Sequence, residues 1–400
     1  MNHFKHIFST LRSFYFDTIF IRLSLPIAEN KLSGRLRNGT PRIAVVKQDV
    51  NEDLYCCPPK STAQEIVRST LLRSGPVALF IKFNADFYLL ETEPDSECNI
   101  WKEKWTENRW CPIEWFEAFK YKVPGRDYGQ SDFAVNAEDV DWSKYDIVIS
   151  SDVSVPARIT QSYPSVAWCY YVREIKTSSY KKSSKKPIKG QDLFLNHGFR
   201  RTPGKMLFHE IEFPYHLHYY GCFNDLFAIP NHVGARSGVF LEHHTVKDLT
   251  ERQIEQLRKF GPLDSTAIRV EIERDSPNDE RVVTTMEPEV LNSLIKSKYF
   301  VKCGGRGTFG TAMIEAISAG CLAIGDPRII ANNFLLSSNT SATCFEDLIK
   351  RILFLEQNGR IYQKELIRQR RLINFLCYYR PTLELLIKSQ KIISNKSKMK

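Results

Sequence analysis

The run from Tyr299 through Lys302, Cys303, Gly304, Gly305, Arg306, Gly307, Thr308, Phe309 and Gly310 to the helical stretch Thr311–Ala319, then Gly320 to Asp326, admits few folds. Tyr299 to Cys303 is short, aromatic and β-branched. Thr311 to Ala319 spaces its apolar residues for one buried helix face, Gly320 suits a helix C-cap, and Cys321 to Ile324 is apolar again. The pattern predicts strand, glycine loop, helix, strand. Gly304, Gly305, Gly307 and Gly310 then fall where a strand feeds a helix N-terminus. There the free N–H groups and the positive end of the helix dipole favour an anion, and the missing Cβ atoms let a phosphate come close. A diphosphate is the expected guest.

The same glycines spell Gly305-x-Gly307-x-x-Gly310, with Asp326 ending the next strand, which is the spacing of a dinucleotide fingerprint. Two features oppose that reading. From Phe345 onward the chain reads as helix almost to its end, over Phe345 to Leu355, Tyr362 to Cys377 and Pro381 to Ile393, so too few strands remain downstream. A dinucleotide fingerprint also opens its domain, and this one lies late. An NAD(P)-dependent oxidoreductase stays open as an alternative.

Ser297, Lys298 and an aromatic strand, followed by the glycine loop and by Glu315-Ala316 and Gly320-Cys321, resemble the C-terminal half of GT-B glycosyltransferases. The likeness is to the exostosin-like pattern and, more loosely, to the large retaining family marked by two glutamates at a fixed spacing. It covers roughly thirty residues. The resemblance implies a GT-B fold: two Rossmann-like α/β domains facing across a cleft, with C-terminal helices crossing back onto the first. It also implies that the loop holds the diphosphate of a nucleotide-sugar and that Glu315 binds the ribose hydroxyls. The first glutamate of the spaced pair falls at Gly307 here, and Gly304 replaces the usual proline after the strand.

Glycosyl transfer requires cations to meet the developing charge of the leaving diphosphate and, in an inverting reaction, a base for the acceptor proton. Lys302 and Arg306 flank the loop and are the candidate cations; Thr308 is a phosphate ligand or a helix cap. The donor set is therefore Lys302, Gly305, Arg306, Gly307, Thr308, Gly310 and Glu315. The base candidates Asp49, Asp152, Glu174 and His197 lie after strand-like runs or in the first half of the chain, and Asp152, Glu174 and His197 form the candidate catalytic set. The remaining histidines have no recognisable ligand spacing and there is no Asp-x-Asp, so no metal is expected. No cofactor is expected either, the nucleoside diphosphate sugar being a donor substrate.

At 400 residues and 42% hydrophobic content the chain can bury two cores. The sequence divides into an amphipathic segment over 1–40, an α/β domain on the acceptor side over 41–230, a nucleotide-sugar-binding α/β domain over 231–355, and C-terminal helices with a basic tail over 356–400. In the first domain Arg42 to Val46, Val77 to Phe83, Asp146 to Ser150 and Val166 to Val172 read as strands and Thr62 to Ser74 as helix. In the second, Gly238 to Glu242 and Ala267 to Ile272 read as strands and Pro288 to Lys298 as a helix. Lys176 to Gly190 reads as a surface loop.

Ten cysteines without a secretory signal point to free thiols in a reducing compartment, and a cytoplasmic location is expected. The net charge of +10 gathers at Lys181–Lys186, Arg368–Arg371 and Lys388–Lys400 without the interleaved motifs of a nucleic-acid module. No nucleic-acid partner is expected; the partners are a nucleotide-sugar and a glycan or lipid-linked acceptor. Phe4, Ile7, Phe8, Leu11, Phe14 and Tyr15 recur at helical spacing among His3, Lys5, His6 and Arg12. That segment is either a helix on the protein's own core or an interfacial anchor to an anionic membrane. A non-catalytic basic protein that binds membranes or polyanions is the third functional class left open.

Overall fold

The computed structural model describes residues 21–47, 76–90, 131–135, 137–151, 154–172, 189–196, 210–214, 217–227, 235–242, 249–265, 269–270, 283–284, 293–304, 311–330 and 332–398. They fall into two compact units, one drawn from 29–217 and 377–400, the other from 1–28 and 218–376.

The first unit begins in helix α1 (Ile21–Arg37) and continues through β1 (Ile43–Lys47), α2 (Val77–Lys82), β2 (Asp86–Leu90), β3 (Ser131–Val135), β4 (Ile147–Ser151), α3 (Ala157–Ser162), β5 (Ala167–Val172), β6 (Leu193–Asn196) and β7 (Glu210–Glu212). All seven strands are parallel, in the order β3-β2-β1-β4-β5-β6-β7. This is a doubly wound sheet whose order reverses between β1 and β4. Ala44, Val46, Val148 and Trp168 of alternating parity join Trp142, Tyr145 and Ile159 in the core on one face.

The apolar run at Val77–Phe83 forms helix α2, not the expected strand. Pro76 stands at its N-cap with φ −80°, Leu79 N–H donates to Pro76 O at 2.9 Å, and Val77 to Phe80 are buried on every side. Periodicity cannot separate a short, wholly buried run into helix or strand. Asn84, in the left-handed region at φ 51°, then turns the chain into β2, which takes the place beside β1.

In the second unit α4 (Cys222–Phe227) precedes β8 (Val239–Leu241), α5 (Glu251–Arg258), β9 (Leu263–Ser265), the short strands β10 (Arg269–Val270) and β11 (Val283–Thr284), β12 (Tyr299–Lys302), α6 (Thr311–Ala319), β13 (Leu322–Gly325), α7 (Phe345–Gln357) and α8 (Gly359–Ile373). Its sheet is parallel, in the order β13-β12-β8-β9. Ala267–Ile272 does not continue that sheet; β10 pairs antiparallel with β11 instead. Gly238 N–H donates to Phe260 O and Val239 N–H to Pro262 O, which sets β9 beside β8 from Leu263. The helix expected over Pro288–Lys298 is described as a single turn at 293–296.

After α8, a π-helical stretch (Asn374–Tyr379) leads into α9 (Arg380–Lys398), which belongs to the first unit. There Lys396 Nζ donates to Val166 O at 3.0 Å and pairs with Asp192 at 2.5 Å, and Lys388 Nζ donates to Glu210 O. The return of the last helix to the first sheet agrees with the organisation the sequence implied. Among the described residues no helix is long and apolar enough to cross a membrane.

Candidate functional site

In the second sheet the first strand in the chain, β8, lies between β9 and β12, so the order reverses between β8 and β12. In open α/β sheets ligands gather outside the carboxyl ends of the strands at such a reversal. Two charged residues end these strands. Lys302 closes β12, Glu242 follows β8, and Lys302 Nζ lies 2.7 Å from Glu242 Oε2 with the side chains 2% and 12% exposed. Side chains alternate along a strand. Val239, Leu241, Tyr299 and Val301 enter the core formed with α5, α7 and α8. Glu242 and Lys302 therefore share the opposite face with Phe240 and Phe300, whose rings stack at 6.2 Å.

Helix α6 covers that same face, because a methyl group on Gly325 would lie 2.9 Å from Met313 Cε. Beyond Lys302 the chain leaves the strand at Gly304, with φ +83°, a backbone geometry that favours glycine. It re-enters the described residues at Thr311, the start of α6. Met313, Ile314 and Ala316 through Ala319 are buried, whereas Thr311, Ala312 and Glu315 are half-buried. These three positions, at i, i+1 and i+4, form one stripe. Glu315 is the only charged side chain of the helix, and it sits on its open stripe and not in its packed face.

A buried ion pair is a poor device for stability, since desolvating both charges offsets their attraction. The Lys302–Glu242 pair at the reversal is thus better understood as holding an ammonium in a defined place. One strand further out, Asp326 follows β13 and is 3% exposed. Burial pushes its carboxyl up, but hydrogen bonds from the Arg328 guanidinium and backbone N–H, with the guanidinium's charge, outweigh burial and hold it below the usual carboxylate range. In a dinucleotide domain that aspartate would face the ribose; here it is engaged by Arg328.

Arg236 closes the far end of α6. Its Nη2 donates to Ala319 O at 2.6 Å and its Nη1 to Leu294 O and Ser297 O at 3.2 Å each. Gly320 has φ +106°, and a Cβ there would stand 2.4 Å from Arg236 Nη2. The expected C-cap is present, with a guanidinium added that the sequence pattern did not signal.

Of the residues named from the sequence, Lys302 and Glu315 are described and belong to one strand–helix unit. Gly305, Arg306, Gly307, Thr308 and Gly310 lie outside the described residues, as do Asp49, Asp152, Glu174 and His197. The strands preceding Asp49 and Asp152, β1 and β4, are the pair flanking the reversal in the first sheet. β5 and β6, which precede Glu174 and His197, stand one and two places further out. Residues 1–20 of the amphipathic segment are likewise outside the described set. Glu242 and the Asp326–Arg328 pair were not singled out for this site from sequence. Glu242 ends an apolar strand as Lys302 does, a signal available beforehand; the pairing needs the sheet order. Among the described residues no group of three histidine, cysteine or acidic side chains could hold a metal, and the six described cysteines are free thiols.

No protein-family model matches the chain, and no curated protein matches it in sequence. Several solved structures resemble it at low identity. They include the glycotransferase of kitacinnamycin (10% identity, TM-score 0.41, covering 88% of this chain and 99% of that one). Another is Anabaena HepE in complex with UDP (8%, TM-score 0.39, 89% and 100%). A third is the T4 phage enzyme BGT in complex with UDP-glucose (11%, TM-score 0.36, 89% and 99%). Similarities this distant carry no functional weight by themselves.

Proposed function

We propose that this chain transfers a sugar from a nucleoside diphosphate sugar to a glycan or lipid-linked acceptor, with the donor held at the carboxyl edge of the second sheet. One observation carries the reading: α6, entered from the glycine segment at the sheet's order reversal, leaves a single stripe open, and that stripe bears Glu315. The GT-B pattern in the sequence gives this position to the ribose hydroxyls, which can donate to a carboxylate. Lys302, fixed by Glu242 at the end of β12, supplies positive charge on the same face.

In the reaction a bond forms between the acceptor oxygen and the anomeric carbon, while the bond from that carbon to the diphosphate oxygen breaks. The diphosphate departs with the electron pair, met by Lys302 and Arg306. In an inverting course the acceptor proton passes to a base in the first unit, for which Asp152, Glu174 and His197 are the candidates. Thermal shift and calorimetry with UDP, GDP, CDP and ADP and their sugars, against NAD(P) and a DNA oligomer, test the reading. Stabilisation by a nucleoside diphosphate alone supports it. Stabilisation by NAD(P) alone favours the oxidoreductase, and salt-sensitive binding of the oligomer alone favours a polyanion-binding protein.

A location in the cytoplasm with peripheral membrane contact goes with this proposal. It is supported by α1, which buries Ile21, Ala28 and Leu32 while exposing Leu23 by 64% and Ile27 by 53%. These aliphatic side chains sit one turn apart beside Arg22 and Lys31, as in helices that rest in the interface of an anionic bilayer.

A further inference from the structure

We propose that Arg328 is a preset anchor for the diphosphate of the donor, a role that rests on the donor reading above. Three facts about its setting carry the inference. Its backbone is rigid: Asp326, Pro327, Arg328 and Ile329 form a turn closed by Ile329 N–H to Asp326 O at 3.2 Å, with proline at the second position. The Asp326 carboxylate accepts from Arg328 N–H at 2.9 Å, which braces the turn again from its side chain.

The guanidinium is held in one orientation. Nε donates to Asp326 Oδ1 at 2.9 Å and Oδ2 at 3.1 Å, and Nη2 donates to Oδ2 at 2.6 Å and to Thr343 O at 2.7 Å. The carboxylate behind it is 4% exposed while the arginine side chain is 65% exposed. Nη1 donates to none of the described residues, so its two N–H groups remain for a ligand.

The position is that of the site. Asp326 N–H donates to Lys302 O at 2.9 Å, and Gly325 is the register partner of Lys302. Arg328 therefore leaves the sheet beside the strand from which the glycine segment departs. A planar guanidinium with free donors suits a phosphate oxygen, and fixing its rotamer in advance lowers the entropy lost on binding. A tie that served the turn alone would be complete with the Asp326 fork and would place no demand on an outward nitrogen.

The test is calorimetry on the full chain with whichever of UDP, GDP, CDP and ADP binds the wild type, and with the corresponding monophosphate and nucleoside. R328A should weaken diphosphate binding about 10- to 100-fold, the range for losing a hydrogen bond between charged groups, and leave nucleoside binding unchanged. Should R328A fail to fold because Asp326 is stranded, D326N/R328M removes the buried charge together with its partner and is expected to show the same selective loss. Wild-type diphosphate affinity in either folded variant overturns the anchor while leaving the donor reading intact. A wild-type chain that binds none of the four diphosphates sinks both.

Discussion

Gln369 and Ala323 pair as two strands would. Gln369 Oε1 accepts from Ala323 N–H at 2.9 Å while Nε2 donates to Ala323 O at 2.8 Å, and both residues are wholly buried. β13 is the outer strand of its sheet, and two residues on Gly325 finds its outward partners in Thr340 and Ala342. A side chain from α8 thereby closes a strand edge whose main-chain groups would otherwise lie unpaired in the core.

Gln369→Ala should cost about 2–5 kcal/mol, because two buried main-chain groups lose their partners at once. Gln369→Glu, able to accept from Ala323 N–H but not to donate to its carbonyl, should recover little of this. Urea unfolding of both variants checks the expectation; wild-type midpoints would show that the pairing is dispensable.

Breaking the Lys302–Glu242 pair from one side leaves an ammonium buried beside the stacked phenylalanines. Glu242→Leu should destabilise by about 3–5 kcal/mol, and the double variant Glu242→Leu, Lys302→Met should regain most of that loss. Nucleoside diphosphate binding should stay weak in the double variant. Recovery of stability and binding together would remove Lys302 from the donor site.

Glu315→Ala touches only the open stripe of α6. Diphosphate binding should weaken by about 1–3 kcal/mol with the melting temperature nearly unchanged, since the packed face of the helix is untouched. Calorimetry and thermal melting on the same preparation decide it, and wild-type affinity would end the ribose assignment.

Gly320→Ala introduces a Cβ into a left-handed backbone and against Arg236. A loss of about 2 kcal/mol or more is expected from the conformation and the displaced guanidinium. If the displacement matters, Arg236→Ala and Gly320→Ala combined should cost less than the sum of the two single changes. Strict additivity in urea unfolding would mean the arginine can move aside freely.

The apolar stripe of α1 predicts membrane behaviour. Leu23→Ser with Ile27→Ser should reduce co-sedimentation with anionic vesicles without lowering the melting temperature, as both side chains are exposed. Equal sedimentation of the variant and the parent would locate any membrane contact elsewhere.

The strand, helix and strand around Glu315 were legible because three signals coincide there: a β-branched run, a helical spacing and glycine at each junction. The boundaries of α6 fall where the spacing put them, at Thr311 and Ala319. Val77–Phe83 was not legible, because a short run buried all round has no period, and only Pro76 and Asn84 mark it as helix. Glu242 and Arg328 escaped for another reason. Their meaning lies in which strands are neighbours, and pairing across sixty residues of sequence, as between Glu242 and Lys302, leaves no local trace.

The return of α9 to the first sheet inverts the order of synthesis and the order of assembly. Lys388 and Lys396 leave the ribosome after every strand of the second sheet, yet their partners Glu210, Val166 and Asp192 were made long before. One flank of the seven-stranded sheet must wait uncovered while the nascent chain builds its second half. The early half therefore cannot reach its final state first, and the last nineteen residues described as α9 act as a latch that seals the molecule only when translation has passed them.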